Sequence, residues 1–175
     1  MKTDIRKEEP GDEDAIRNVV FRAFQSQSEP RLVDRLRDED AAELSLVAVV
    51  DNKIVGHILF SPMTLDPENP AIIDRVFGLA PLSVLPEFQN AGIGTKLVQR
   101  GLSLGISMRW RLAFVLGDPA FYSRFNFKQA SKFNYYTEYD APDEAFMVVS
   151  LDAYGLSVGP ATIAKYHSVF SEVGI

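Results

Sequence analysis

The chain has 175 residues, 18 of them basic and 24 acidic, for a formal net charge of −6. With 46% hydrophobic and 24% charged residues it has the composition of an ordinary folded domain, which excludes a disordered or fibrous chain. The acidity argues against a binder of nucleic-acid backbone, which needs a basic face, and the absence of cysteine removes disulfides, thiol nucleophiles and cysteine zinc sites together. One domain over residues 1–175 is expected, with a core over about 3–151 and an extension over about 152–175. The opening Lys2-Thr3-Asp4-Ile5-Arg6-Lys7-Glu8-Glu9 is too charged for a signal-peptide apolar region. No apolar run approaches the ~20 residues that cross a bilayer. A cytoplasmic protein with neither membrane nor nucleic-acid partner is expected.

Thr3 and Ile5 read as a short first strand, stopped by Pro10-Gly11-Asp12, which offers a helix cap. Ile16, Val20, Ala23 and Phe24 repeat at helical spacing, and Leu32, Val33 and Leu36 mark one face of a second helix with Pro30 in its first turn. Leu44 to Val50 and Ile54 to Leu65 form a predicted hairpin about Asp51-Asn52. Asp66-Pro67-Glu68-Asn69-Pro70 is a loop by composition. The strand predicted over 72–85 carries Pro81, which cannot donate to a ladder and marks an interruption or bulge.

Gln89-Asn90-Ala91-Gly92-Ile93-Gly94 then opens a helix with Ile93, Leu97, Val98, Leu102 and Ile106 on one side. Trp110 to Leu116 is a strand, followed by a short helix with Phe121, Tyr122 and Phe125. Asn126 falls where a left-handed residue ends such a helix. Phe127 to Tyr136 and Ala145 to Leu151 are predicted antiparallel strands about Asp140-Ala141-Pro142-Asp143, and Ile163, Tyr166 and Phe170 suggest a final helix from Pro160. The order of elements describes a mixed α/β layer sandwich with helices covering a central sheet.

The most informative segment is 89–95. A glycine-bearing turn feeding a helix N-terminus presents amide N–H groups and the positive end of the helix dipole, and so suits a phosphate. It is not a P-loop, because Gln89 stands where the first glycine is needed, and not a dinucleotide fingerprint, because Leu97 stands where the third is needed. Gln89, Gly92 and Gly94 instead satisfy a Gln/Arg-x-x-Gly-x-Gly/Ala pattern.

With that pattern, with Leu82-Ser83-Val84-Leu85-Pro86 before it and with the block from Gly117 to Phe127 after it, the sequence resembles the GNAT superfamily of acyl-CoA-dependent N-acyltransferases. The tail Tyr166-His167-Ser168-Val169-Phe170 is similar to its YhbS-type subgroup. The resemblance implies a mostly antiparallel central sheet with a bulged, splayed strand pair and helices on both faces. It implies acetyl-CoA as co-substrate, with pantetheine on the backbone of Leu82 and Val84 and the pyrophosphate on a loop made of Gln89, Asn90, Ala91, Gly92, Ile93, Gly94 and Thr95.

Tyr122 stands where the family has its general acid. A phenol near pKa 10 can reprotonate a thiolate near 8.5; the plainer reading is a ring packed between Phe121 and Phe125. Many relatives carry a glutamate on the bulged strand, whereas Gly78 stands at that place and no carboxylate lies between Asp74 and Glu87. Glu29 and His57 are the acceptor-side candidates: Glu29 resembles a subgroup position, and His57 could act through water. Their plainer readings are a helix N-terminal carboxylate and a hydrogen-bonded core histidine. No spacing of His, Asp and Glu suggests a metal. The expected acceptor is a small-molecule or peptide amine attacking directly in a ternary complex, with hydroxyl acylation left open, and a homodimer is one expected assembly. A non-catalytic acyl-CoA-binding module is the alternative, favoured by Gly78.

Overall fold

The computed structural model describes residues 2–175. Among the described residues ten strands and five α-helices follow in chain order: β1 (Asp4–Lys7), α1 (Glu13–Phe24), α2 (Ser28–Asp38), β2 (Leu44–Val50), β3 (Lys53–Pro62), β4 (Thr64–Asp66), β5 (Val76–Val84), α3 (Ile93–Ser107), β6 (Leu112–Leu116), α4 (Pro119–Tyr122), β7 (Lys128–Gln129), β8 (Tyr135–Thr137), β9 (Phe146–Ser150), β10 (Thr162–Lys165) and α5 (Val169–Glu172). The fold is mixed α/β. A seven-stranded sheet runs in the order β1-β2-β3-β5-β6-β9-β7, and a three-stranded sheet in the order β4-β10-β8. In the large sheet β1–β2, β2–β3, β6–β9 and β7–β9 are antiparallel and β5–β6 is parallel. The chain forms two compact units, one comprising the chain up to Ser61 with Ala80–Gly101 and Ser168–Ile175, the other Pro62–Leu79 with Leu102–His167.

In the first unit the β2–β3 hairpin turns on Asp51 and Asn52, both at positive φ (47° and 61°). This is the twist-matching two-residue turn that the Asp-Asn pair favours. Alternation along β3 sends Gly56 one way and His57 the other. A Cβ at Gly56 would come within 3.1 Å of Ile93 and Leu97, so α3 packs on that face. Arg37 of α2 is joined to the opposite face through Glu8, Ser45 and His57, so the hairpin carries helices on both sides. Ile16, Val19 and Val20 of α1 and Leu32, Val33 and Leu36 of α2 are buried as their spacing requires, whereas Phe24, expected on the same stripe as Ile16 and Val20, is 42% exposed at the end of α1. Asp12 stands at the N-cap of α1 without capping it; its carboxylate accepts from Arg6 and from the Glu9 amide instead.

In the second unit β6 is the axis, paired in parallel to β5 over Val76–Gly78 and antiparallel to β9 along its length. Phe77 stacks on Trp110 at 4.1 Å between ring centres, and the Trp110 ring lies where a Cβ on Gly105 would be, at 2.5 Å. Two expectations are corrected here. The strand predicted over 127–136 divides into β7, a 3₁₀ turn over Ala130–Phe133 and β8, because Asn134 takes a left-handed conformation (φ 62°) that breaks the extended run. The helix predicted from Pro160 is β10 followed by the short α5. β10 forms between β4 (antiparallel) and β8 (parallel), and those two ladders outweigh a three-residue helical periodicity.

Candidate functional site

The loop after β5 is built by local rules. Pro86–Phe88 makes one 3₁₀ turn, Asn90 and Gly92 take positive φ (60° and 79°), and α3 begins at Ile93. Lys96 N–H closes a helical hydrogen bond onto the Gly92 carbonyl at 3.1 Å. The amides of Ile93 and Gly94, in the first turn, belong to the helix N-terminal set that helical geometry leaves without an intrahelical partner. Ile93 is buried and anchors the turn, while Gln89, Asn90, Ala91 and Gly92 are exposed. Nothing lies within 4 Å of where a Cβ on Gly92 would stand, so the backbone there is open to close approach. An exposed run of amides at the positive end of a fifteen-residue helix fits a phosphate group by charge and by space.

Gln89 braces the loop against the end of β5, its side-chain Nε2 donating to the Val84 carbonyl at 3.0 Å. Glu87, two residues earlier, forms a two-bonded ion pair with Arg22 of α1 at 2.9 and 3.0 Å, which tethers the same turn. Leu82 and Val84 are half-buried on β5, and Ser83 between them is buried. The β5–β6 ladder ends at the pair Gly78–Phe114, three residues before Pro81.

Tyr122 is 7% exposed and sits at the end of α4, whose first turn is capped by the Asp118 carboxylate accepting from the Ala120 amide at 2.9 Å. Its ring crosses Phe121 at 4.9 Å and Phe127 at 5.6 Å, both edge to face. A Cβ on Gly117 would stand 2.5 Å from the Tyr122 ring, so glycine there makes room for it. Burial, and secondarily the charge of Asp118, push the Tyr122 phenol well above its ordinary pKa and hold it protonated. Asn126 ends the block at φ 65°, a conformation asparagine tolerates in place of glycine.

His57 is fully buried. Ser45 Oγ donates to Glu8, whose carboxylate also accepts from Arg37 Nε at 2.9 Å; the Ser45 oxygen therefore accepts from His57 Nε2–H at 2.9 Å. That assigns the proton to Nε2 and leaves Nδ1 enclosed as a lone acceptor without a partner. Burial, with a contribution from Arg37, pushes the His57 pKa down to about 3, so the ring is neutral and presents no surface to an acceptor. Glu29 lies in the first turn of α2, half-buried, with its Oε2 enclosed and without a hydrogen-bond partner. Among the described residues no group of three or more His, Cys, Asp or Glu could hold a metal, and no helix is long and apolar enough to cross a membrane.

The family model "Acetyltransferase (GNAT) family" matches residues 13–127, a span that runs from α1 through the glycine loop to the end of the Tyr122 block. The chain belongs to the GNAT acetyltransferase family. It is 32% identical over 168 residues, 95% of this chain and 98% of the relative, to the uncharacterized N-acetyltransferase YhbS of Escherichia coli strain K12. The crystal structure of the Escherichia coli YhbS protein in complex with CoA superposes with a TM-score of 0.88 at 30% identity, covering 100% of this chain and 95% of that one. A GNAT family acetyltransferase from Brucella melitensis in complex with acetyl-CoA superposes with a TM-score of 0.79 at 34% identity, covering 97% and 98%.

The GNAT sheet and its glycine loop were legible in the sequence. No local pattern in the sequence places the ring of Tyr166 over Gly78. Its position beside Gly78 depends on β10, and β10 on two ladders that no local pattern announces.

Proposed function

We propose that the protein is an acetyl-CoA-dependent N-acetyltransferase acting on an amine that attacks directly in a ternary complex. The observation that carries this is the open amide run at the start of α3 in a chain of GNAT sequence, together with the CoA and acetyl-CoA complexes of its relatives. Bound acetyl-CoA supplies an acyl group activated as a thioester. The amides of residues 90–95 would hold its pyrophosphate, and the backbone of Leu82 and Val84 its pantetheine arm. Gln89 acts as the brace that keeps the turn in place through the Val84 carbonyl.

Tyr122 holds a proton at Oη for the departing sulfur. Its raised pKa suits a donor and disfavours a base. Glu29 is the acceptor-side carboxylate, and a cationic amine is the preferred class given the net charge of −6. His57, neutral and enclosed in the core, takes no part in holding the acceptor.

A second reading, an acyl-CoA-binding module without turnover, is favoured by one observation: β5 carries no carboxylate, and the space at Gly78 is filled by the Tyr166 ring. Acetyl-CoA with a panel of primary amines, read by thiol release, separates the two. Release with any amine, slowed by roughly 10²–10⁴-fold in single turnover in Tyr122→Phe while acetyl-CoA affinity holds, supports catalysis through Tyr122. Tight acetyl-CoA binding with no release across the panel would favour the module.

A further inference from the structure

Phe24 follows the buried Val20 and Ile16 at helical spacing, yet it is 42% exposed, and Phe21, one turn back, is 41% exposed. The apolar stripe of α1 outruns the core at this end. The helix stops at Gln25, which takes a left-handed conformation (φ 55°) and donates its N–H to the Phe21 carbonyl at 2.7 Å. Two rings three residues apart share one helix face, so they make a single apolar patch that water solvates poorly.

The patch is fixed from both sides. Arg22, between the two phenylalanines, donates twice to Glu87 at 2.9 and 3.0 Å. That fastens the last turn of α1 to the 3₁₀ turn leading into the glycine loop. On the other side residues 25–27 fold the chain into α2: the Ser28 N–H donates to Ser26 Oγ at 3.0 Å, and the Arg31 N–H to the Gln27 carbonyl at 3.2 Å. Glu29, the second residue of α2, comes directly after this link. Its carboxylate is half-buried, and no hydrogen bond offsets the enclosure of Oε2. Arg35 and Arg37, farther along α2, are committed elsewhere, to Glu39 and Glu172 and to Glu8 and Asp34.

We propose that this corner recognises the body of the acceptor, and that the acceptor is a primary amine on an aromatic or similarly apolar frame: the frame lies on Phe21 and Phe24, and Glu29 holds the ammonium. The inference rests on the reading of the chain as an N-acetyltransferase with Glu29 on its acceptor side.

Charge selects this occupant among those an apolar patch could take. CoA carries phosphates and gains nothing from a carboxylate that lacks a partner. A second copy of the chain would bring another net charge of −6 and another Glu29 to the same contact. An apolar amine suits both halves. Its frame takes ring surface out of water, and its nitrogen gives the carboxylate a hydrogen-bonded cation. A phenyl face beside the ammonium adds cation–π attraction.

Binding is measured first, without turnover, by NMR titration of the CoA-loaded protein with three probes. Benzylamine has ring and ammonium, methylamine the ammonium alone, and benzyl alcohol the ring alone. Benzylamine should bind at least about tenfold more tightly than either of the others. Phe24→Ser should weaken benzylamine about tenfold and leave methylamine unchanged, whereas Glu29→Gln should weaken benzylamine about tenfold and leave benzyl alcohol unchanged. Equal affinity for benzylamine and methylamine, or equal losses for every probe in either variant, would overturn the proposal. Both phenylalanines are exposed, so Phe24→Ser should keep the parent's denaturant midpoint; Phe21→Ser is the second variant and should act in the same direction. A dimer in sedimentation that Phe24→Ser dissolves would assign the patch to a second copy and overturn the proposal.

The second measurement is thiol release from acetyl-CoA across a panel of primary amines. Apolar amines should show the highest kcat/KM, and Phe24→Ser should raise their KM about tenfold while kcat and the KM for acetyl-CoA hold. Methylamine turning over as well as benzylamine sinks this inference alone. Ring-dependent binding of benzylamine with no thiol release from any amine sinks the catalytic reading alone.

Discussion

The glycine loop and the tyrosine pocket are built on opposite plans. The loop is exposed backbone, in which Asn90 and Gly92 supply positive φ, Gln89 supplies a brace, and the recognition groups are amides belonging to whichever residues stand there. The pocket is buried side chain, in which Gly78 and Gly117 are cut back so that the rings of Tyr166 and Tyr122 can lie against the strands. A loop that works through backbone leaves its mark in a short run of sequence. A pocket that works through rings from α4 and from the end of β10 leaves its mark only as missing side chains, which mean nothing until the fold is known.

This contrast can be broken most sharply at the loop. Gly92→Asp places a charge and a Cβ at φ 79°, where nothing of the protein stands in the way, so the fold should survive with a modest strain of about 1–2 kcal/mol. Calorimetry should nevertheless show acetyl-CoA binding reduced by roughly 10²-fold or more, through like charge against the phosphates. Gly94→Asp, in the first turn of α3, should likewise weaken acetyl-CoA binding through like charge. Unchanged affinity in both would remove the loop from the cofactor site.

The pocket should respond in the reverse sense. Gly117→Ala forces a methyl to within 2.5 Å of the Tyr122 ring, so denaturant unfolding should show a loss of about 1–3 kcal/mol, with thiol release slowed and acetyl-CoA affinity kept. If binding fell as much as the rate, the division between a backbone half and a side-chain half would be wrong.

A smaller effect comes from His57, which belongs to neither. Its folded pKa, about 3, lies below the unfolded value near 6.5. The folded state therefore binds fewer protons, and the stability that the neutral ring contributes is present above pH 6.5 and is lost as pH falls towards 3. The slope approaches ~1.4 kcal/mol per pH unit in that window. Melting temperature against pH should show this slope in the parent and a flatter curve in His57→Gln; parallel curves would mean the ring titrates normally. Smallest of all, Glu87→Gln removes half of an exposed ion pair with Arg22 beside the loop and should leave the denaturant midpoint essentially where it is, because solvent screens the pair.

How far the sequence reaches follows from the range of the forces involved. The Asp51-Asn52 turn, the left-handed Asn126, the buried faces of α1 and α2 and the glycine entry to α3 were all legible, because each is decided by residues a few places apart. The hydrogen-bonded setting of His57 was one of its two readings, yet its partners Ser45 and Glu8 lie 12 and 49 positions away and could not be named from the strand alone.

The C-terminal segment marks the limit. Ile163, Tyr166 and Phe170 repeat at helical spacing, but the backbone from Thr162 to Lys165 is drawn out between β4 and β8, where each residue gains ladder bonds that a four-residue helix lacks. By itself the sequence determined the family, the order of most elements and a loop fit for phosphate, since these depend on local conformation and short motifs. Only the tertiary structure decided that Gly78 is a seat, that Tyr166 occupies it, and that Gly117 makes room for the ring of Tyr122. Close packing couples positions as far apart as Gly78 and Tyr166, and no spacing along the chain records which distant side chain fills a given gap.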